Sequence, residues 1–277
     1  MEFGAEQSVE ILEDLKDYLG SFIFVEDGCH TGSFMLTRLL LHALRSIGDG
    51  FTEVVLVSTA YPLEHYEALL RRNSLDVRIE SLAKRVTMLF LVPDGSLTEQ
   101  TSIVGKEERA RVAAANAYYP CRHCEWKELN SFILNKLNGA QPNHPSVLFV
   151  DDLTLLESLA PSRQQARKLL FSILHNLKHS DLANSGIGTF VTASPVEVCP
   201  DDPIALEEDE EPSITELARH HANVLISTLP LSSGFSNEVH GLIRYTACRS
   251  GQVLRENFAY KVQNPHHVSF IELKTDG

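Results

Sequence analysis

Short, almost wholly apolar runs set the strongest limit on what this chain can fold into. Glu53-Val54-Val55-Leu56-Val57-Ser58, Val86 to Val92 and Val147-Leu148-Phe149-Val150 are each about one strand long, and none alternates apolar with polar residues. A strand with no polar side must be covered on both faces, which is the condition of a parallel sheet sandwiched between helices. Helical periodicity fills the intervals. It shows as Leu36, Leu39, Leu40, Ala43, Leu44 and Ile47 within Met35 to Ile47, and as a helix from beside Pro62 to about Arg72. Further patterns run from about Lys106 to Ala117 and from Trp126 to Leu137. After Ser162 and Gln165, a capping-box pair, come Ala166, Leu169, Leu170, Ile173, Leu174 and Leu177 on one helical face. Val9, Leu12, Leu15 and Leu19 predict an opening helix, and Gly188 to Thr192 a further strand. Val224 to Ser227, Val239 to Cys248, Phe258 to Val262 and Val268 to Leu273 read as strands joined by short turns. The fold class expected is α/β: a mostly parallel sheet flanked by helices, with a C-terminal antiparallel extension.

At 277 residues and 43% apolar, the chain suits one large α/β domain or two small ones, and we take 1–277 as one. The net charge of −13 argues against a self-sufficient nucleic-acid binder, which must neutralise phosphates with Lys and Arg. Asp201 to Glu211 carries seven carboxylates and no Lys or Arg, and predicts a mobile, solvated loop near 200–212. No apolar run approaches the ~20 residues of a membrane span. Met1 to Leu19 is acidic and helical in pattern, unlike a signal or transit peptide. Five cysteines, an odd count, suit a reducing compartment, so cytosol or nucleus is expected.

The first strand, Ser21 to Glu26, leads into a glycine-bearing turn and then a helix, the layout of the phosphate loop G-x-x-x-x-G-K-[ST]. With Gly32 as the second glycine, Asp27 takes the place of the first, Ser33 that of the lysine, and Phe34 that of the magnesium-binding hydroxyl. Gly28 and Thr31 complete the loop. A phosphate cradle needs free N–H groups at a helix start, a cation and a hydroxyl for Mg²⁺. Here the cation is missing, and Asp27 would repel phosphate by roughly 4 kcal/mol at ~4 Å and an effective dielectric near 20. Phe34 cannot ligate a metal. The loop is expected to bind no cofactor and support no efficient hydrolysis alone. An ordinary strand–turn–helix junction has the same outline.

Asp151-Asp152 ends an apolar strand about 120 residues later, where a Walker B acid would hold Mg²⁺ at a strand's carboxyl end. Without a phosphate anchor we read the pair as a structural remnant. Cys121-Arg122-His123-Cys124 is a lone C-x-x-C with no second pair at zinc spacing. His220-His221 and His266-His267 are adjacent pairs whose side chains diverge on helix or strand, so no metal is expected. Gly28, Gly32, Gly234 and Gly241 suit turns. Arg163, Arg167 and Lys168 open the helix after the acidic pair and are the candidate nucleic-acid contacts; they equally suit a solvated helix face.

Five stretches carry a family resemblance: Thr31-Gly32-Ser33-Phe34; Val57-Ser58-Thr59-Ala60-Tyr61-Pro62-Leu63-Glu64-His65-Tyr66; Val147 to Leu156; Leu231-Ser232-Ser233-Gly234-Phe235-Ser236-Asn237-Glu238-Val239-His240-Gly241; and Phe258-Ala259-Tyr260-Lys261-Val262. In this order, over nearly the whole chain, they resemble the sixth subunit of the Elongator complex, one of three RecA-like subunits of its accessory ring. Nothing is carried across Pro93 to Asn143 or Pro195 to Glu216. The resemblance implies a RecA-like fold of the P-loop NTPase type without functional Walker motifs, and a non-catalytic subunit without cofactor. It also implies a heterohexameric ring with two copies each of the fourth, fifth and sixth subunits. That ring docks on the catalytic subassembly, engages tRNA and supports carboxymethyl-type modification of the wobble uridine, with no membrane partner. A composite ATP site using a neighbour's residues is the alternative. A recombination-type relative acting on single-stranded DNA is disfavoured by the acidic balance.

Overall fold

Sidedness along the first strand explains the layering. A computed structural model describes residues 18, 20–28, 34–45, 53–72, 86–92, 116–120, seven positions between 126 and 135, 146–179, 187–195, 211–231, 239–249, 252–264 and 267–273. In β1 (Ser21–Asp27), Ile23 and Val25 enter one core while Phe22 and Phe24 enter another, because successive side chains point to opposite faces. Both faces are dry, as an apolar strand requires.

The other parallel strands are β2 (Glu53–Ser58), β3 (Val86–Val92), β4 (Asn116–Pro120), β5 (Ser146–Val150), β6 (Ile187–Pro195) and β7 (Val224–Leu229). Antiparallel β8 (Gly241–Arg249), β9 (Gln252–Asn264) and β10 (His267–Glu272) follow. All belong to one sheet in the order β10-β9-β8-β7-β1-β6-β5-β2-β3-β4. Seven strands, β7 to β4 in that order, are mutually parallel, so their carboxyl ends share one rim.

Helix α1 (Phe34–Arg45) covers the first face, burying Met35, Leu36, Leu39, Leu40, Ala43 and Leu44 at helical spacing. Fully burying each large apolar side chain is worth about 1.5–3 kcal/mol, so Leu39→Ala alone would cost roughly 2–5 kcal/mol. Tyr66 of α2 (Leu63–Arg72) joins that core. Trp126, Leu129 and Ile133 cover the second face with α3 (Leu153–Leu159), α4 (Arg163–His179) and α5 (Ile214–His221). Among the described residues, the antiparallel strands pack on the first face, through Ile243, Tyr245, Ala247, Phe258, Tyr260 and Phe270.

Three readings change. The helical pattern expected to reach Ala117 gives way to β4, where Asn116 to Pro120 pair in parallel with Met88 to Val92. Ser162 and Gln165 make half of a capping box: Ser162 Oγ accepts from the Gln165 N–H at 3.3 Å, while Gln165 Oε1 has no partner among the described residues. The complete box is Ser213 with Glu216, opening α5. Gly241 serves close approach rather than a turn. A Cβ there would lie 2.6 Å from Tyr260 Cε1 and 2.8 Å from the Leu229 carbonyl oxygen. The opening helix before residue 18, the C-x-x-C at 121–124, Gly234, His266 and the acidic residues 201–210 lie outside the described residues.

Candidate functional site

The chain folds back over opposite faces after β1 and β5, so the carboxyl rim between them is where an open α/β sheet offers a crevice. Two carboxylate clusters occupy it, one on each side of β6.

The first belongs to β5 and β2. Asp151 follows the last residue of β5, and its N–H donates to the Val57 carbonyl oxygen at 3.2 Å. Its buried carboxylate receives the Thr59 N–H and Thr59 Oγ1 on Oδ1, both at 2.7 Å. Ser58 Oγ at 2.6 Å and Tyr66 Oη at 2.8 Å donate to Oδ2, and the Ala60 N–H lies 3.3 Å from both oxygens. Two N–H groups and three hydroxyls converge on two oxygens that offer about four lone-pair sites, so the carboxylate is satisfied from within the chain, although the Ser58 and Thr59 hydroxyls also reach the Tyr61 and Asp152 carbonyl oxygens. This Asp closes the turn from β2 into α2. Burial, then the charge of Asp151, raises the Tyr66 pKa, so the phenol stays a donor.

Asp152 faces away from that network. Its Oδ1 accepts from the Thr154 N–H at 2.8 Å and the Leu155 N–H at 3.0 Å, making it the N-cap of α3. Burial raises its pKa, against the lowering effect of those two bonds. Thr154 Oγ1 meets Ser194 Oγ, which ties the start of α3 to the end of β6.

The second cluster belongs to β1 and β7. Asp27, where the loop pattern would have its first glycine, is buried with Oδ1 3.1 Å from Thr228 Oγ1, and the Gly28 N–H donates to the Thr228 carbonyl oxygen at 3.1 Å. Thr31, Gly32 and Ser33 lie outside the described residues. Phe34 turns its ring onto Tyr260 of β9, centroids 5.0 Å apart, and one turn later the Arg38 guanidinium lies 4.9 Å from the Phe270 ring centre. The position that would hold the magnesium hydroxyl thus bolts α1 to the antiparallel extension.

Composition alone did not reveal Glu26. It sits in an apolar strand, 6% exposed, paired with Arg219 of α5 and accepting from Ser227 Oγ at 2.7 Å. The one signal was an acid inside Phe22-Ile23-Phe24-Val25-Glu26. The three basic candidates separate. Arg163 and Lys168 are exposed on α4, whereas Arg167 is held by Glu211 Oε2 at 2.6 Å and by the Pro212 carbonyl oxygen. His220 and His221 lie on α5 with ring centres 5.2 Å apart, and no group of three or more metal-ligating side chains occurs among the described residues. Also among the described residues, no helix is long and apolar enough to cross a membrane.

Comparison with known proteins agrees with this geometry. The crystal structure of a KaiC-like protein from the archaeon Pyrococcus horikoshii OT3 superposes with a TM-score of 0.51 at 10% identity, covering 91% of this chain and 90% of that one. The fold is RecA-like. Elongator complex protein 6 of Xenopus tropicalis is 23% identical over 259 residues, 91% of this chain and 90% of its own length. The family model described as Elongation complex protein 6 matches residues 8–264, and the chain belongs to that family.

Proposed function

We propose that this Elongator subunit is a non-catalytic RecA-like building block, one domain that assembles with the fourth and fifth subunits into a heterohexameric ring. That ring engages tRNA and supports wobble-uridine modification, in the cytosol or nucleus. The observation that carries the reading is Asp151. The acid placed to hold Mg²⁺ in a nucleotide hydrolase is satisfied by donors from its own chain. Asp27 and Phe34 support it, since one adds a negative charge and the other an aromatic ring where a phosphate loop needs neither. Of the three basic candidates on α4, Arg163 and Lys168 are exposed and able to meet tRNA, whereas Arg167 is engaged with Glu211.

Native mass spectrometry after co-expression with the fourth and fifth subunits tests the reading, and a stoichiometric hexamer is expected. A stable monomer that ignores both partners would overturn it. Any ATP turnover by the assembled ring should survive Asp152→Asn, which keeps the helix cap. Loss of turnover with the ring intact would move the function to a composite nucleotide site. Arg163→Ala or Lys168→Ala should weaken tRNA binding and flatten its salt dependence.

A further inference from the structure

The hairpin β8–β9 runs past the strands that flank it. β10 pairs with β9 only from Phe258 onward, its last contact being the Leu273 N–H on the Asn257 carbonyl oxygen at 3.0 Å. Gln252 to Glu256 are paired on one side, with Tyr245 to Arg249, and have no strand on the other among the described residues. Backbone groups of an antiparallel strand face its two neighbours at alternate residues. Asn257 faces outward, as its bond to Leu273 shows, so Val253 and Arg255 also present their N–H and C=O to the open edge.

The side chains along this edge are unusual for solvent. Val253 is 57% exposed and Leu254 50% exposed, on opposite faces of the strand. Bare edges are ordinarily blunted with charge, proline or a bulge. On the face of Val253, Arg244 and Arg255 are both exposed, and neither meets a carboxylate within 4 Å among the described residues. In a chain of net charge −13, that is a local positive site.

We infer that the open edge of β9, Gln252 to Glu256, takes an added strand from a neighbouring subunit. The segment that fits is extended, with apolar residues to cover Val253 and Leu254 and a carboxylate opposite Arg244 and Arg255. Main-chain bonds to Val253 and Arg255 would supply affinity, and the alternate side chains would supply choice of partner. This rests on the proposed ring assembly, and it assigns part of the contact to a particular edge.

The test uses the chain co-expressed with the fourth and fifth subunits. Val253→Pro removes an outward N–H while leaving the β8 ladder intact, a substitution that edge strands tolerate. It should lower the assembled fraction at least tenfold, as should Arg255→Glu, whereas Val253→Thr and Arg255→Lys should assemble normally. Hydrogen exchange should show the Val253 and Arg255 amides slowed in the assembly relative to the free chain. Normal assembly of Val253→Pro, or unchanged exchange, overturns the edge while the ring reading stands. Failure of the wild-type chain to assemble overturns both. Protection in the free chain that vanishes on deleting residues 274–277 would assign the edge to this chain's own tail. Protection that depends on the concentration of the free chain would assign it to a second copy, and either result overturns the proposal.

Discussion

Replacing Asp151 with alanine discriminates between a structural clamp and a metal ligand. The loss can be worked donor by donor. The Ser58 hydroxyl can turn to the Tyr61 carbonyl oxygen, already 2.6 Å away, and the Thr59 hydroxyl to the Asp152 carbonyl oxygen at 3.0 Å. The Thr59 N–H and Tyr66 O–H each lose a charged acceptor, and Tyr66 is buried with the Ser58 hydroxyl as a weaker neighbour. An unsatisfied buried donor costs about 1–3 kcal/mol, so two give about 2–6 kcal/mol. Thr59 is only half-buried, so water can reach it and the expected loss is about 2–4 kcal/mol. That is a large share of a typical domain stability of about 5–15 kcal/mol. Urea unfolding followed by fluorescence of Trp126, the sole tryptophan, reads it directly. Asp151→Asn, which keeps one acceptor, should fall between wild type and alanine. A midpoint shift worth less than about 0.5 kcal/mol for Asp151→Ala would refute the clamp, because a metal-binding carboxylate costs little stability when removed from an empty site.

The pair Glu26–Arg219 gives a second test: Arg219→Met leaves a buried carboxylate uncompensated and should cost about 2–3 kcal/mol, discounted because the Arg is 33% exposed, while Glu26→Gln with Arg219→Met should recover most of the loss in a double-mutant cycle. Gly241→Ala would press on both the Tyr260 ring and the Leu229 carbonyl oxygen and should cost about 1–3 kcal/mol, measured as a lowered melting temperature. Two carboxylates should shape the acid limb of a pH–stability curve in opposite senses. Hydrogen bonds from the Ser213 N–H and hydroxyl lower the Glu216 pKa, so its contribution is complete above its ordinary range and lost as pH falls through the lowered value. Glu216→Gln should flatten that limb and leave the cap in place. Asp152, raised mainly by burial, loses stability as pH rises from its ordinary value through the raised one. Asp152→Asn should remove that decline, and an unchanged curve for both variants would refute the assignments.

Strands β2, β3 and β5 were legible because each is a short apolar run bounded by turns, and β2 and β5 are buried on two faces. β4 was not, because Asn116-Ala117-Tyr118-Tyr119-Pro120 is short, mixed and at the sheet edge, where tertiary pairing decides. Helix α5 has only eight residues and follows the acidic block, which hid its Ser213–Glu216 box. The first half of β9 was missed because both of its faces are solvated from Gln252 to Arg255, which removes any one-sided apolar signal. At the site, Asp27, Phe34, Asp151 and Asp152 could be picked out by position. Their partners could not, since Tyr66 lies 85 residues from Asp151, Thr59 lies 92 away, and Arg219 is 193 from Glu26. Spacing arguments reach across one turn of helix or one hairpin, and only the sheet order brings such pairs together.

That order has a consequence for how the molecule is made. β1 is flanked by β6 and β7, so Ser21 waits for Thr189 and Ile23 for Val224 before its ladder can close. The ring of Phe34 waits longer still, for Tyr260. A nascent chain therefore holds this central apolar strand without a neighbour through most of synthesis, and its native centre can form only once translation is nearly done. Chaperone dependence should track the exposure of Phe22-Ile23-Phe24-Val25 during that interval.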